Sequence, residues 1–173
     1  KAVEVNLSCP NVASEGILCY SKDAVVSVCR KTKKAIGNIP LLVKFGYFSA
    51  DQQELLEDIM QAINPFISGV ANINTIPAPV VDKKGKQALP GKGRLMAGIC
   101  GASIKWAGLD MVKRLKRIKE KLNSDFAIIG VGGVMTSKDY SEYRNKGADV
   151  VQSATGAMWN PYLAKEIKKS NRP

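Results

Sequence analysis

Pro40-Leu41-Leu42-Val43-Lys44-Phe45 is the stretch on which the reading of this chain turns. Residues 41–45 are too few for a helix, and four of the five are apolar, so the polar alternation of a half-exposed strand is missing. A short, nearly continuous apolar run of this kind belongs to a strand covered on both faces, as in a parallel sheet. Similar runs recur outward in both directions. Val3, Val5 and Leu7 alternate with Glu4 and Asn6 over 3–7, Gly69-Val70-Ala71-Asn72-Ile73 spans 69–73, Ala127-Ile128-Ile129-Gly130-Val131 spans 127–131, and a last run covers 148–152.

Helical patterns fill the intervals. A helix is expected over 22–36, with Ser21 as its N-cap and Gly37 as its stop. Asp51-Gln52-Gln53-Glu54 reads as an aspartate version of a capping box ahead of the stripe Leu55, Leu56, Ile59, Met60 and Ile63. Leu109, Val112, Leu115, Ile118 and Leu122 form the apolar face of a helix whose other side is crowded with Lys and Arg. Thr136 to Asp139 offers a second capping box with Gly147 as the stop, and 161–169 carries the last helix. Residues 14–20 have no period and read as a loop.

Five strand–helix alternations imply a mainly parallel sheet with right-handed crossovers. An open doubly wound sheet and part of a (β/α)8 barrel both satisfy this pattern. A closed barrel takes about 250 residues, so a chain of 173 residues is about three βα units short of one. One segment, 75–100, stands apart as a long insertion. It holds Pro77, Pro79, Pro90 and several glycines, and is expected to be too broken for regular structure. Asp82-Lys83-Lys84-Gly85 within it is a candidate hairpin tip.

Composition narrows the function classes. With 45% hydrophobic residues, the chain has material for one globular domain over 1–173. No run approaches the roughly 20 apolar residues of a membrane span, and no signal-peptide pattern is present, so a soluble protein is expected. The formal charge of +11 is dispersed over the outer faces of helices without interleaved aromatics, which favours a solvated basic surface over a nucleic-acid site. Cys9, Cys19, Cys29 and Cys100 form no C-x-x-C pair and the chain has no histidine. Zinc and iron–sulfur ligation therefore have little support, and Ser-His-Asp and Cys-His mechanisms are removed. Unpaired cysteines suggest a reducing compartment, hence the cytoplasm.

In parallel α/β folds the chemistry gathers at the C-terminal ends of strands. Here those ends deliver Asn6, Ser8, Cys9 and Asn11; Lys44; Asn74 and Thr75; Gly132 and Gly133; and Ala154-Thr155-Gly156. The asparagines carry paired donors and acceptors suited to the C=O and N–H edges of a heterocycle. Lys44, within a buried strand, needs an anion: it pairs with a cofactor carrying negative charge, forms a Schiff base, or points out at the strand end. The glycine-bearing turns run from strand toward helix, so their backbone N–H groups are suited to a phosphate, with Gly98-Ile99-Cys100-Gly101 as a further wall. No G-x-G-x-x-G follows the first strand, which argues against a dinucleotide fold. Without a histidine, Cys9 can act only as an acid or base tuned by nearby donors or bound substrate.

Taken together, N-L-S-C-P-N at Asn6 to Asn11, V-K at Val43-Lys44, I-N-T at Ile73 to Thr75, G-V-G-G-V at Gly130 to Val134 and A-T-G at Ala154 to Gly156 resemble dihydroorotate dehydrogenase, in order and at compatible spacings. The resemblance covers the chain but corresponds to the last five βα units of that family's FMN-binding barrel. It implies that Cys9 is the base removing the C5 proton of dihydroorotate while C6 gives hydride to the flavin. It also implies that Asn6, Asn11, Asn74 and Thr75 hold the pyrimidine, that Lys44 lies beside the flavin, and that Gly101, Gly132, Gly133, Ala154 and Thr155 cradle the FMN phosphate. Cysteine at the base position resembles the soluble members, homodimers or forms with an electron-transfer partner subunit. Three departures stand out. The first three βα units have no counterpart, Ala154 replaces a commoner glycine, and the G-K-G-R near Arg94 looks closer to dihydropyrimidine dehydrogenase. A tRNA-dihydrouridine synthase, which would suit the basic charge, usually has another sequence before its Cys-Pro. An inactive phosphate- or flavin-binding half barrel is the reading from a different class. An incomplete barrel would expose unpaired edges on its first and last strands, so poor solubility or an assembly that covers them is expected.

Overall fold

The structure is a computed structural model that describes residues 1–9 and 17–170. Five parallel strands, β1 (Val3–Asn6), β2 (Leu41–Phe45), β3 (Gly69–Asn72), β6 (Ala127–Val131) and β7 (Val150–Gln152), lie side by side in the order of the chain. A doubly wound sheet reverses its strand order partway across; this sheet never does. The sequential order is that of a partial (β/α)8 barrel, which settles the choice the alternation alone leaves open.

The register builds a continuous row across the sheet, Asn6 beside Lys44, Lys44 beside Ala71, Ala71 beside Ile129 and Ile129 beside Val150. The two faces differ in kind. Leu41, Val43 and Phe45 of β2 point into the main core with Val70 and Ile128, whereas Leu42 and Lys44 face the other way, half-buried. On that inner face Gly69 leaves room for Leu42 and Ile129, since a Cβ at Gly69 would lie 2.9 Å from Leu42 Cδ2 and 3.1 Å from Ile129 Cδ1. Outermost side chains approach each other as well: Gln152 Nε2 of β7 donates to Glu4 Oε2 of β1 at 3.4 Å.

Helices α1 (Lys22–Ile36), α2 (Gln53–Ile63), α3 (Lys105–Lys121) and α4 (Ser137–Lys146) cover the core face. Thr136 and Asp139 form the expected capping box of α4, and Gly147 ends that helix at φ 111°, in the left-handed region glycine favours. Ser21 occupies the N-cap of α1, although its hydroxyl makes no capping bond. The capping box expected at Asp51 is instead made two residues earlier by Ser49 and Gln52, ahead of a 3-10 turn, Ala50–Gln52. Helix α3 begins at Lys105, four residues before the apolar stripe suggests, after a 3-10 turn at Gly101–Ile104. Ala154-Thr155-Gly156 is more than a turn, because Thr155 and Gly156 open a short helix, α5 (Thr155–Trp159), followed by α6 (Leu163–Ser170). Leu18–Tyr20, read as loop, is also a single 3-10 turn.

The long insertion departs most from expectation. Its ends pair as an antiparallel ribbon of β4 (Ile76–Pro79) and β5 (Met96–Ile99), with an isolated bridge between Val81 and Gln87 and a tip at Asp82 to Gly85. Asp82 closes the tip, its carboxylate accepting from Lys84 N–H at 2.8 Å and Lys86 N–H at 2.9 Å. Prolines are tolerated here because Pro77 and Pro79 alternate along one strand of a two-stranded ribbon, so both can turn the N–H-less side away from the ladder.

Candidate ligand-binding cleft at the strand ends

The C-terminal ends of β2, β3, β6 and β7 surround a cleft of about 90 Å³. Lys44, Asn74 and Thr75 line one side of it; Gly132, Gly133, Ala154 and Thr155 line the other. Seven of the expected site residues therefore share one cavity. Gly101 joins their wall indirectly, for at φ +76° a Cβ on it would touch Thr155 Cγ2 at 3.3 Å.

Beside Lys44, two chain segments, Asn6–Ser8 and Asn74–Thr75, meet in one hydrogen-bonded cluster. Asn74 Nδ2 donates to Ser8 Oγ at 2.9 Å, to the Ser8 carbonyl at 3.2 Å and to Asn6 Oδ1 at 3.2 Å. Asn6 Oδ1 also accepts from Ser8 N–H at 3.1 Å, and Asn74 Oδ1 accepts from Thr75 N–H at 2.9 Å. Asn6 and Asn74, 68 residues apart, are thus held as a pair. Cys9 follows Ser8 directly and is half-buried. Asn11 lies outside the described residues.

The Lys44 side chain makes no hydrogen bond or ion pair among the described residues, while its carbonyl accepts from Leu7 N–H at 3.0 Å. A half-buried cation without a partner, on the wall of a cleft, is a site for an anionic or electron-rich ligand. Opposite it, Gly132 and Gly133 adopt φ +121° and +69°. The N–H groups of Gly132, Gly133 and Val134 have no acceptor among the described residues. Gly133 is also irreplaceable on space: a Cβ there would sit 2.7 Å from Lys105 Cβ and 2.9 Å from the Gly101 carbonyl. The two glycine turns therefore interlock and leave a neutral, donor-rich surface, the chemistry that suits phosphate.

Several further residues brace this surface. Tyr143, fully buried, donates its hydroxyl to the Gly132 carbonyl at 2.6 Å. Burial first, and the Asp139 carboxylate second, push that hydroxyl above its ordinary pKa, so it stays a donor. Ser153 Oγ donates to the Val134 carbonyl at 2.7 Å. Asp139 Oδ2 accepts from Met135 N–H and Thr136 N–H at 3.0 and 2.9 Å, while Oδ1 pairs with Lys105 Nζ at 2.7 Å. Burial opposes the Asp139 charge, yet these hydrogen bonds and the Lys105 cation together hold its carboxyl below the ordinary range. Ser153 sits next to the Ala154-Thr155-Gly156 motif and Asp139 belongs to the expected capping box, whereas nothing in the sequence marks Tyr143.

Among the described residues no cluster of His, Cys, Asp and Glu could hold a metal, and no helix is long and apolar enough to cross a membrane. All four cysteines are free.

The family model described as dihydroorotate dehydrogenase matches residues 1–171. The chain is similar to a dihydroorotate dehydrogenase of Dictyostelium discoideum, 37% identical over an alignment that covers 99% of this chain and 47% of that protein. It is also similar to the protein named dihydroorotate dehydrogenase B (NAD(+)), catalytic subunit, of Staphylococcus carnosus, 31% identical over 96% of this chain and 51% of the relative. The protein of the same name from Methanocaldococcus jannaschii is 30% identical over 92% of this chain and 49% of the relative. The chain spans about half the length of the curated relatives it matches. With a family match running nearly end to end, this chain belongs to the dihydroorotate dehydrogenase family.

Proposed function

We propose that this chain supplies the substrate- and FMN-binding part of a cytoplasmic, cysteine-base enzyme that oxidises dihydroorotate to orotate in pyrimidine biosynthesis. The observation that carries the reading is one cleft lined by Asn74, which is itself held by Asn6 and Ser8, by Lys44 with its unpartnered side chain, and by the acceptor-free amides of Gly132 to Val134.

Asn6 and Asn74 present amide donors and acceptors from two strand ends, and with Thr75 they grip the C=O and N–H edges of the pyrimidine. Asn11, from the same motif, adds a further amide. Cys9, one residue beyond the Ser8 that anchors Asn74, is the base: its thiolate takes the proton from C5 and later releases it to solvent. FMN, when bound, supplies the acceptor for the hydride that leaves C6. The residues present fit that cofactor. Gly132, Gly133 and Val134 would offer N–H groups to its phosphate, Gly101, Ala154 and Thr155 would close the wall, and the Lys44 side chain would offset negative charge on the cofactor. The names of the bacterial and archaeal relatives suggest that NAD serves as the final acceptor through a partner subunit.

Reconstitution tests the reading. The purified chain mixed with FMN should retain visible flavin absorbance after desalting, and loss of all colour would overturn the cofactor assignment. In an assembly that turns over dihydroorotate, Cys9→Ala should abolish oxidation and leave flavin bound; undiminished turnover would remove Cys9 from the mechanism. Assays with dihydroorotate and dihydrouracil, each against NAD and fumarate, separate substrate from acceptor.

A further inference from the structure

We infer that Tyr143 and Ser153 are positioning residues that set the Gly132–Val134 turn to receive a phosphate ester, an inference that rests on the phosphate role given to that turn above. Neutral peptide groups hold an anion only when their N–H groups face it and their carbonyls face away, because an inward carbonyl repels. A glycine turn has no side chain to enforce that choice. Here donors behind the turn do so.

The Gly132 carbonyl is taken by Tyr143 Oη at 2.6 Å and the Val134 carbonyl by Ser153 Oγ at 2.7 Å. Just upstream, the Val131 carbonyl accepts from Ile73 N–H at 2.9 Å. Each of these oxygens thus has its donor among the surrounding elements, while the N–H groups of Gly132, Gly133 and Val134 have no acceptor among the described residues. Asp139 closes the series by taking the next two N–H groups, Met135 and Thr136, and its charge is offset by Lys105 at 2.7 Å.

The way Tyr143 is housed supports a role beyond packing. Its ring lies in a slot opened by Gly108 and Gly130, since a Cβ at either glycine would overlap it. Phenylalanine would fill the same slot without burying a hydroxyl. The hydroxyl's bonds are to backbone carbonyls of the Val131–Gly132 segment, at the start of the turn. Tyr143 is 0% exposed, so it acts on a ligand only through the turn.

The test compares the 173-residue chain with its Tyr143→Phe variant, using FMN, riboflavin and inorganic phosphate as probes. Tyr143→Phe should weaken FMN about tenfold, or about 1.4 kcal/mol, and leave riboflavin binding nearly unchanged. Ser153→Ala should act in the same direction. In amide NMR, phosphate should shift Gly132, Gly133 and Val134 in the parent and shift them much less in Tyr143→Phe. An equal loss of FMN and riboflavin affinity, or unchanged FMN affinity, overturns the inference. If the parent binds no FMN but its three amides respond to phosphate in a Tyr143-dependent way, the flavin reading fails and the positioning role stands. If phosphate moves none of those amides in the parent, the positioning role fails.

Discussion

Gly108, near the start of α3, sets two effects against each other. Alanine is the better helix former by about 1 kcal/mol, yet a Cβ at Gly108 would overlap Tyr143 Oη and lie 2.7 Å from the Val131 carbonyl. Backbone on one side and a fully buried ring on the other leave nothing to yield, so overpacking wins. Gly108→Ala should lose about 1–3 kcal/mol in denaturant unfolding. Asp139 makes a pH-dependent contribution. Its folded pKa lies below its ordinary value of about 3.9, so the stability it adds is fully present above that value and is lost as pH falls through the folded pKa. Lys105, raised chiefly by its hydrogen bonds to Asp139 and Glu142, keeps its share until pH rises through its own folded pKa. Asp139→Ala should therefore cost about 2 kcal/mol at neutral pH, and the gap from the parent should shrink in acid. Burial pushes the Cys19 and Cys29 thiols each up to about 11. A thiol-directed alkylating agent at mildly alkaline pH should consequently modify the exposed Cys100 and leave those two intact in the folded chain, as peptide mapping would show. Lys44, Asn74 and the paired glycines were legible in the sequence because each stands at a strand end with an unusual residue type for that place. Tyr143 was not, because a tyrosine on a helix looks the same whether it packs or holds a carbonyl 11 residues away.

At the scale of elements, the loop after β2 is held from two sides, which matters because Lys44 lies immediately before it. Tyr20 Oη donates to the Tyr47 carbonyl at 2.7 Å. Arg114 of α3, nearly buried, donates to the Phe48 and Ser49 carbonyls, to Gln53 Oε1 at 2.6 Å and to Asp110 Oδ2 at 3.3 Å. Arg114→Met keeps most of the stem volume but leaves two backbone carbonyls without their donor, and should cost about 3 kcal/mol by chemical denaturation. A loss below 1 kcal/mol would mean that water replaces the guanidinium. The sequence placed Arg114 on the solvated side of α3, because a stretch of alternating Lys and Arg hides the one cation that turns inward. The capping box at Ser49 was missed for a related reason. Asp51 and Glu54 satisfy the same spacing, and only the fold decides which hydroxyl or carboxylate meets the free N–H. In the insertion, local composition argued against order, whereas the Ile76–Pro79 and Met96–Ile99 ends lie close enough to pair across 16 intervening residues.

At the scale of the whole molecule, the alternation of strands and helices was legible because buried parallel strands are short and apolar. That alternation alone did not choose barrel over open sheet, because strand order is a property of the assembled sheet; the family resemblance implied the partial barrel, and the strand order bears it out. That order leaves β1 and β7 each paired on one side only among the described residues, with backbone donors and acceptors on the outer edge available to another strand. Val150 of β7 is 49% exposed, and Gln152 and Glu4 of the two outer strands touch through exposed side chains. A sheet with two free edges and an apolar side chain on one of them is prone to add strands from a neighbour. The 173-residue chain should accordingly associate in a concentration-dependent way in sedimentation velocity. Val150→Lys puts a charge on the outermost strand, where pairing would have to bury it, and should shift the population toward monomer without lowering the thermal midpoint by more than about 1 kcal/mol equivalent. A chain that is monomeric at every concentration would show instead that the β1 and β7 edges are already protected.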